Sequence, residues 1–548
     1  MFTDPVTGKN FYDREEYLAL LLKRAKGLAD GYRQNVAILG EETFGKTSLI
    51  LQFILKLQEN SPRILTIYFD ISFELPLELL IKRFIAITLF NLSKLLQKTA
   101  YSENDIEELL NHSKAFIPET VEEIKKCFDY VKNNNFTEAY STMLTVPQLI
   151  SKEVGIPVIL IIEEFHKLER FSFLNPFNEL AKKIMISKNV MYIISSSSII
   201  QAKRILSKEL SLLFGNFEIV ILEPFDMKTS NDFLEVRLSP VKCSLYYRDF
   251  ISEITDGQPF YLNIISAEIK SIALEKKLRF ITDEVIIEAL TNLLFDSTGI
   301  LNQLFTHRIK ELPTNRSPLS YTSILLSLAH NCNRIKEIKD YLDTKSEKEF
   351  INHLNTMLEM GYIYKNGILY YLNDRLFKFW LTEVYEKKRD SLDIKLETMR
   401  ENFKKSLQKN INAFLKDRKK SVEERLLGLL GDFGNEVIYL GSHRIKLPRF
   451  NKIELKNIDS QIPIITAKTR NKSWIFVVRK GHIDRTVMEE IWSCCNRLKT
   501  NKTRKLIIAL DGIDEDARLL AKEEKFITLE NKELNKLLKL YGKFKIFH

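Results

Sequence analysis

The sequence predicts a multidomain α/β protein that begins with a parallel β-sheet covered by helices on both faces. Near-continuous apolar runs alternate with helical segments between residues 35 and 225, a pattern typical of strands buried on both faces. The first apolar run leads into a glycine-containing loop and then an amphipathic segment. Because 548 residues exceed one ordinary domain, we expect three or four domains.

Residues 1–227 are predicted to form the core domain. A helix over 14–31 precedes the first strand, and further helices are expected at 46–60, 76–97 and 175–187. The polar stretch 100–145 carries no strand signal and is expected to be a helical insertion. The five strands are predicted from the segments "NVAILG", "RILTIYFDIS", "IPVILIIEEF", "NVMYIISSSS" and "FEIVILEPF".

The rest of the chain is predicted to form four regions. Residues 228–312 are helical and are interrupted by "TDGQPFYL". Residues 313–385 contain short helices and a hairpin with its turn at Asn366–Gly367. Residues 386–420 form a charged helical linker. Residues 421–548 return to α/β, with helices at 421–431, 484–499, 514–523 and 531–541 and strands at 435–440, 462–468, 473–479 and 504–510.

A complete phosphate-loop pattern, GxxxxGK[ST], lies between the first strand and the following helix. Its glycines allow a tight loop whose backbone N–H groups point at phosphate oxygens. Lys46 is expected to bridge the β- and γ-phosphates of a nucleoside triphosphate, and the Thr47 hydroxyl to bind Mg²⁺. The predicted cofactor-binding set is Gly40, Glu41, Thr43, Phe44, Gly45, Lys46, Thr47 and Ser48.

Two adjacent carboxylates end the third apolar strand, and a phosphate loop needs such acids on a neighbouring strand. We assign Glu163 to the magnesium shell and Glu164 to the attacking water. Together with Lys46 they form the predicted catalytic set, and Thr47 and Glu163 form the predicted metal set. The alternative is a pair of solvated charges at a strand end.

Several other polar residues have open roles. Ser196 or Ser197, after the fourth strand, either touches the γ-phosphate or the attacking water or only caps a turn. His166 is a core or surface histidine or helps to sense the nucleotide. Arg204 and Arg237 are the candidates for a charge-stabilising arginine.

Charge is unevenly distributed along the chain. Residues 381–548 hold 37 Lys/Arg and 24 Asp/Glu, a balance of +13 within a net charge of +10. Such a basic segment on a near-neutral body favours nucleic acid, and DNA in particular, as a partner. A protein partner and plain solubility are the alternatives.

Cysteine use and hydropathy give the expected compartment. The five cysteines are scattered, contain no CxxC pair and are predicted to be reduced. No apolar run approaches the ~18 residues of a membrane span, and the first residues lack a signal pattern. We therefore expect a cytoplasmic protein without a membrane partner.

Six motifs, in order and spacing, resemble the archaeal ATPase family of STAND-type P-loop NTPases, which are relatives of the AAA+ class. They cover about residues 10–385 and are "GEETFGKTSLI", "ILIIEEFHKLERF", "MYIISSSSI", "FEIVILEPFD", "TDGQPFYLN" and "LNDRLFKFWL". The resemblance implies an ATP- and Mg²⁺-binding ATPase core, a helical lid over 228–312 and a winged helix-turn-helix over 313–385.

The resemblance also assigns roles to individual positions. Lys46 and Thr47 match the phosphate-binding pair, Glu163 the metal-shell acid and Glu164 the catalytic glutamate. Gly257 and Pro259 match the lid motif that packs near the nucleotide. The chain departs from the family pattern where Glu163 replaces an aspartate, where four serines replace a glycine-serine pair, and where Asn216 replaces an arginine. These departures predict slow or partner-dependent hydrolysis.

Related proteins often end in a restriction-endonuclease-like domain, and residues 421–548 are expected to have that fold. The nuclease motif needs an Asp on one strand and Glu-x-Lys on the next. Here the Asp position falls at about Pro463, and the Glu-x-Lys position reads Val478, Arg479, Lys480. We therefore predict a nuclease-inactive domain that still binds nucleic acid. Glu423, Glu424 and Asp459 are displaced leftovers at most.

Three functions compete at this point. The first is an ATP-driven conformational switch coupled to DNA binding. The second is an ATP-dependent defence nuclease, which requires carboxylates that the tail lacks. The third is a non-hydrolysing scaffold in which ATP is a structural ligand. The sequence leaves the oligomeric state open, and oligomerisation is compatible with each function.

Overall fold

The computed structural model describes residues 5–546 except 61–62, 72–73, 98–104, 211–215, 314–318, 344–346, 391–394, 442, 459–461 and 499–502. The described chain divides into two compact units. The first contains the residues up to Phe225 together with the short segments Gln258–Tyr261 and Glu359–Gly361. The second contains the remaining residues from Asp226 onward.

A five-stranded, all-parallel sheet forms the centre of the first unit, with strand order β2-β3-β4-β1-β5. This confirms the predicted fold class, an α/β P-loop NTPase sheet. All five predicted strands are present. They are β1 (Asn35–Leu39), β2 (Leu65–Asp70), β3 (Val158–Glu163), β4 (Val190–Ser196) and β5 (Phe217–Ile221).

Both faces of this sheet are covered, as the apolar runs predict. Within β1, Ala37 and Leu39 belong to one buried cluster, whereas Val36 and Ile38 belong to another on the opposite face. Side chains alternate between the two faces of a strand, so a strand covered on both faces must be apolar throughout. The covering helices are α1 (Glu15–Ala29), α2 (Lys46–Asn60), α3 (Leu77–Gln97), α4 (Ile106–Ser113), α5 (Pro118–Lys132), α6 (Phe136–Val154), α7 (Pro176–Ile186) and α8 (Ile199–Arg204).

One expectation about the sheet is wrong. We expected the acidic strand beside the phosphate-loop strand, but β4 lies between β1 and β3. The carboxyl ends of parallel strands still meet at one edge, so residues after all three strands converge there. The inserted strand brings its own polar end, with Ser196 and Ser197, to the same edge, where one of these serines was expected to act; only the position of β4 between β1 and β3 was not anticipated.

The second unit begins with a group of helices and contains the predicted hairpin. Strands β6 (Ile363–Asn366) and β7 (Leu369–Leu372) pair antiparallel, and their turn is Gly367–Ile368, one residue later than predicted. The helices before the hairpin are α9 (Met227–Leu238), α10 (Leu245–Thr255), α11 (Pro259–Glu275, which starts in the first unit), α12 (Asp283–Leu294), α13 (Ile300–Lys310), α14 (Tyr321–Ala329), α15 (Ile335–Leu342) and α16 (Glu347–Glu359).

A mixed sheet of order β10-β11-β12-β13-β14 ends the second unit. The first two pairings are antiparallel and the last two are parallel. The strands of this sheet are β10 (Lys452–Ile458), β11 (Ile462–Lys468), β12 (Ser473–Arg479), β13 (Thr503–Ala509) and β14 (Phe526–Glu530). Before it, β8 (Glu436–Leu440) and β9 (His443–Leu447) form a separate antiparallel pair. The helices after the hairpin are α17 (Arg375–Trp380), α18 (Glu386–Asp390), α19 (Leu396–Arg418), α20 (Val422–Gly431), α21 (Arg485–Arg497), α22 (Glu515–Glu523) and α23 (Asn531–Leu540).

The hairpin turn packs tightly on strand β8 within the second unit. Gly367 has a positive φ of +63°, and a Cβ placed there would lie 1.9 Å from the Val437 carbonyl oxygen. The Asn366 amide group donates to the Tyr439 carbonyl (2.9 Å) and accepts from the Tyr439 N–H (2.7 Å). At Asn366 and Gly367 the hairpin turn is therefore an internal contact, whereas Ile368 is exposed.

The end of α10 is held by residues distant in sequence. Asp256 forms ion pairs with Lys539 of α23 and with Lys545. Burial alone would raise the pKa of Asp256, but the charges and hydrogen bonds of the two lysines outweigh it and hold that pKa well below its usual range. Glu253, fully buried one turn earlier, accepts from Arg375 and from the Lys545 N–H.

Across the described part of the chain, no helix is both long enough and apolar enough to cross a bilayer.

Candidate nucleotide-binding site

The loop between β1 and α2 has the backbone shape that a phosphate cradle needs. Thr43 and Gly45 have positive φ values of 69° and 87°, which turn the loop tightly before the helix begins at Lys46. A Cβ at Gly40 would lie 3.1 Å from the Leu222 carbonyl oxygen. Glycine therefore serves two purposes here: close approach at Gly40 and the left-handed conformation at Gly45.

Lys46 is buried at the start of α2, with a side chain only 6% exposed. Its ammonium group donates to the Glu41 carbonyl (3.1 Å) and lies 3.8 Å from Glu164 Oε1. An ammonium so enclosed needs acceptors, and these two oxygens supply them. The lysine side chain is therefore held inside the loop by contacts within the chain.

Glu163 and Thr47 meet at the carboxyl edge of the sheet. The Thr47 hydroxyl donates to one carboxylate oxygen of Glu163, and the Tyr68 hydroxyl donates to the other. Burial raises the pKa of Glu163, and the two hydroxyl hydrogen bonds partly oppose that rise. The pKa of Tyr68 is also raised, chiefly by burial and then by the nearby Glu163 charge. Tyr68 was not among the predicted site residues.

Glu164 points in a different direction from its neighbour. It leaves the strand with a positive φ of 55° and precedes the 3₁₀-helical segment Phe165–Leu174. Its Oε2 accepts from the Ser197 N–H (3.0 Å) and the Ser197 hydroxyl (2.7 Å), while its Oε1 faces Lys46. The backbone conformation thus directs the two adjacent acids apart. Glu163 contacts the Thr47 hydroxyl, and Glu164 contacts the end of β4.

His166 joins the same cluster. Its Nδ1 lies 2.9 Å from the Ser196 hydroxyl oxygen and 3.4 Å from Glu164 Oε2. Burial lowers the pKa of His166, and the nearby Glu164 charge only partly opposes this, so the ring is neutral at pH 7. His166 is therefore a buried histidine that lies beside the predicted catalytic glutamate. Ser196 is engaged with His166 and with the backbone of Ser198.

The remaining predicted residues have different contacts. The Ser48 hydroxyl accepts from the Val6 N–H (3.0 Å), so this side chain faces the N-terminal segment and not the loop interior. Phe44 is buried. The Thr43 hydroxyl contacts Gln258 Oε1 (2.7 Å). Gln258 was missed by sequence reasoning, although it lies between the two lid-motif residues that the resemblance identified.

The two arginine candidates are not alike. Arg204 donates to both carboxylate oxygens of Glu169 at 2.6 Å, so its charge is already satisfied within the first unit. Arg237 belongs to α9 of the second unit, where its guanidinium lies 5.2 Å from the Phe233 ring centroid. Neither residue is among the site contacts described above.

The residues at this edge fit a magnesium–triphosphate ligand. Mg²⁺ prefers oxygen ligands and is usually held by one or two protein groups plus phosphates. Thr47 and Glu163 supply a hydroxyl and a carboxylate in direct contact. Among the described residues, no group of three or more His, Cys, Asp or Glu side chains is arranged to hold a metal ion.

Comparisons with known proteins find similar solved structures but no family. No family model matches the chain, and no curated protein does. Solved structures that resemble it include the Walker-type ATPase PABY2304 of Pyrococcus abyssi, at 19% identity over 70% of this chain and 99% of that one, with a TM-score of 0.47. The ADPNP–ADP complex of the Aeropyrum pernix ORC2 protein is 11% identical over 74% and 97%, with a TM-score of 0.44.

A third similar structure is the Aeropyrum pernix ORC1 protein in complex with DNA, at 12% identity over 70% of this chain and 95% of that one, with a TM-score of 0.39. At such identities a likeness concerns only the fold. With all three TM-scores below 0.5, we base the P-loop NTPase assignment on the order of the parallel sheet and on the loop that follows β1.

Proposed function

We propose that this protein is a Mg²⁺-dependent ATPase of the STAND/AAA+ type that works as a conformational switch and binds nucleic acid, DNA in particular, through its C-terminal region. One observation carries the proposal. Lys46 and Thr47 of the loop meet Glu163 and Glu164 at a single edge of the sheet. The two pairs are more than 100 residues apart in the sequence, so a chance loop match would not be expected to bring them together.

The contacts suggest how hydrolysis proceeds. Phosphate oxygens replace the Glu41 carbonyl and the Glu164 carboxylate as partners of Lys46. Glu164, released from Lys46 but still held by Ser197, then orients the attacking water and accepts its proton. Mg²⁺, when bound, neutralises charge on the β- and γ-phosphates. Thr47 and Glu163 are the residues that would hold it.

The contact between Gln258 and the phosphate loop supports the proposal that the segment around Gln258 responds to the nucleotide. Gln258 follows Gly257 and precedes Pro259, and its side chain contacts Thr43 in the phosphate loop. A ligand that reshapes the loop would change this contact. We infer that this short segment links the state of the nucleotide to the lid helices that continue from it.

The hairpin supports a packing role for the domain that we interpret as a winged helix. Its turn packs against β8 at Gly367, and Asn366 is bonded to the β8 backbone. A wing held in this way is already engaged within the second unit. Nucleic-acid binding is therefore assigned to the basic residues further along the chain.

The C-terminal sheet supports an inactive nuclease. Val478, at the position where the nuclease motif needs glutamate, is buried in an apolar cluster. Glu424 is used in a capping box with Ser421 at the start of α20. Asp459, the other displaced acid, lies outside the described residues. We propose a restriction-endonuclease-like domain that has lost its metal ligands.

ATP turnover with and without duplex DNA, read beside the particle mass, tests the function. Glu164→Gln is expected to bind Mg-ATP and to retain it unhydrolysed, whereas Lys46→Ala is expected to bind none. Lys56→Ala is a matched control on the same helix, because its partner Glu59 is exposed. Loss of turnover in the control, or unchanged turnover in Glu164→Gln, would contradict the proposed roles.

One observation favours the non-hydrolysing scaffold as a second candidate. Arg204 is paired with Glu169 through Nη2, which disfavours it as the charge-stabilising arginine. The scaffold predicts tight Mg-ATP binding without turnover under any condition, and identical retention of ATP by the unmodified protein and by Glu164→Gln. The switch predicts that only the variant retains ATP.

A further inference from the structure

A cleft of about 820 Å³ lies at one end of the C-terminal sheet, entirely within the second unit. It is formed by the connection between β9 and β10, by the turn between β11 and β12, and by the first residues of β12 and β13. The lining residues that carry positive charge are Lys446, Arg449, Arg470, Lys472 and Arg504.

The charge in this cleft is uncompensated. No Asp or Glu lines it, and none of its five cations has an ion-pair partner among the described residues. Neighbouring cations differ in this respect, since Lys452 pairs with Glu454 and Lys505 lies 3.9 Å from Glu524. Five like charges around one concavity repel one another and attract a polyanion.

The segments that present these charges are held in place. The Thr469 hydroxyl donates to the Lys472 carbonyl (3.1 Å) and accepts from the Lys472 N–H (3.0 Å), which closes the β11–β12 turn. Asn435 accepts from the Arg449 N–H (3.1 Å) and fixes the β9–β10 connection. The cations are therefore offered on preorganised turns, which lowers the entropy lost when they bind.

The cleft is distinct from the former nuclease edge. Lys472 and Trp474 lie at the start of β12, whereas Val478 and Lys480 lie at its end. The strand between Ser473 and Arg479 spans about 20 Å. A site inherited from the nuclease would lie at the far end of the sheet, so this cleft needs its own explanation.

The walls of the cleft favour a backbone ligand over exposed bases. Trp474 is only 2% exposed, and the half-buried Phe450 packs edge-on against it at 5.9 Å. The Trp474 ring is thus covered, whereas single-strand sites usually offer exposed ring faces for base stacking. The guanidinium of Arg504 lies 5.3 Å from the Trp474 ring centroid, which places it over the cleft wall.

We propose that this cleft binds several adjacent phosphates of duplex nucleic acid. The inference rests on the nucleic-acid part of the proposed function and names its site. Five cations on separate segments match a run of phosphates better than one isolated anion. Lys and Arg side chains bind phosphate oxygens through charge-assisted hydrogen bonds, and such contacts position a duplex whatever its sequence.

The test is the binding of a labelled 20-base-pair duplex to the full chain between 50 and 300 mM KCl. Arg449→Gln/Arg470→Gln/Arg504→Gln is expected to weaken binding at least ten-fold at low salt. The dependence of log K on log salt should become less steep by about 0.9 for each phosphate that is no longer neutralised, or about 2.7 for three. The conservative triple change to lysine should restore most of the affinity.

A matched control removes the same amount of charge from the second unit outside the cleft. Lys409→Gln/Lys456→Gln/Lys536→Gln involves exposed residues that do not line the cleft and should change affinity by less than about two-fold. If both triple variants weaken binding equally, or if neither weakens it, the cleft is not the binding site, although the protein still binds DNA. Tighter binding of a single strand of the same length would overturn the choice of duplex.

The same variants separate this inference from the ATPase. ATP turnover without DNA should be unchanged in both triples, because the cleft contains no residue of the nucleotide site. If the unmodified protein binds no duplex even at 50 mM KCl, the cleft and the nucleic-acid part of the function both fail, and the ATPase assignment stands on its own turnover data.

Discussion

At the residue scale, the site shows how two adjacent acids acquire different roles. Glu163 ends a strand and keeps its side chain toward Thr47, whereas the left-handed backbone at Glu164 directs its side chain to Ser197. The loop motif and the acid pair could be predicted, because each is a short pattern in the sequence. Tyr68 could not, since its contact with Glu163 spans 95 residues. Ser197 was a candidate contact of the γ-phosphate or the attacking water, but its hydrogen bond to Glu164, 33 residues away, was not predicted.

Removing the support of Glu164 should slow hydrolysis without affecting binding. Ser197→Ala deletes the hydroxyl that donates to Glu164 and leaves the backbone N–H. We expect kcat to fall about ten-fold, the lower end for a lost hydrogen bond to a charged group, with Kd for Mg-ATP unchanged. Ser207→Ala, at an exposed serine of the adjoining segment, is the control. A rise in Kd with unchanged kcat would refute the orienting role.

Glu163 should destabilise the ligand-free protein at neutral pH. Its pKa is raised by burial, so the folded state holds its proton more tightly than the unfolded state, and stability falls as pH rises above the unfolded value of about 4.3. Glu163→Gln should therefore raise the midpoint of urea unfolding at pH 7, and the difference should shrink toward pH 4.5. Mg-ATP should stabilise only the unmodified protein. Equal midpoints at every pH would contradict this.

At the element scale, the C-terminal region departs most from what the sequence indicated. Strands β9, β10 and β14 were not predicted. Residues 444–447 and 452–456 alternate charged and apolar side chains, and β9 is exposed on one face. The apolar runs that revealed β11, β12 and β13 are absent from these edge strands. These segments become strands because they pair with an apolar neighbouring strand, and their own composition indicates this only weakly.

The hairpin contact should be sensitive to a single methyl group. Gly367→Ala would place a Cβ 1.9 Å from the Val437 carbonyl oxygen at a positive φ, where the left-handed backbone alone costs about 1–2 kcal/mol. We expect a lower urea midpoint for the second unit. Gly428→Ala is the matched control, because that exposed helical glycine has open space around it and should be stabilised by about 0.5–1 kcal/mol.

At the scale of the whole molecule, charge and chemistry are divided along the chain. The first 380 residues are nearly neutral and contain the nucleotide site, while the later residues carry the +13 balance. The sequence predicted this division from composition alone. It did not indicate that the cations gather in a cleft, because that depends on how four separated segments meet.

The tail should bind but not cut. Without carboxylates at Pro463 and Val478, we expect supercoiled plasmid to stay intact during incubation of the full chain with ATP and Mg²⁺ or Mn²⁺. Gel electrophoresis checks this, with Lys46→Ala as a second sample to exclude an ATP-dependent contaminant. Nicking that persists in a cleft variant and scales with protein concentration would restore the nuclease hypothesis.

The pairing of Asp256 with two distant lysines has a consequence for the order of folding. Their partners follow 283 and 289 residues later. At ribosomal speeds of about 5–20 residues per second, that acid waits roughly 15–60 s for its counter-charges to be synthesised. The two ion pairs at the end of α10 can therefore form only when synthesis of the chain is nearly finished.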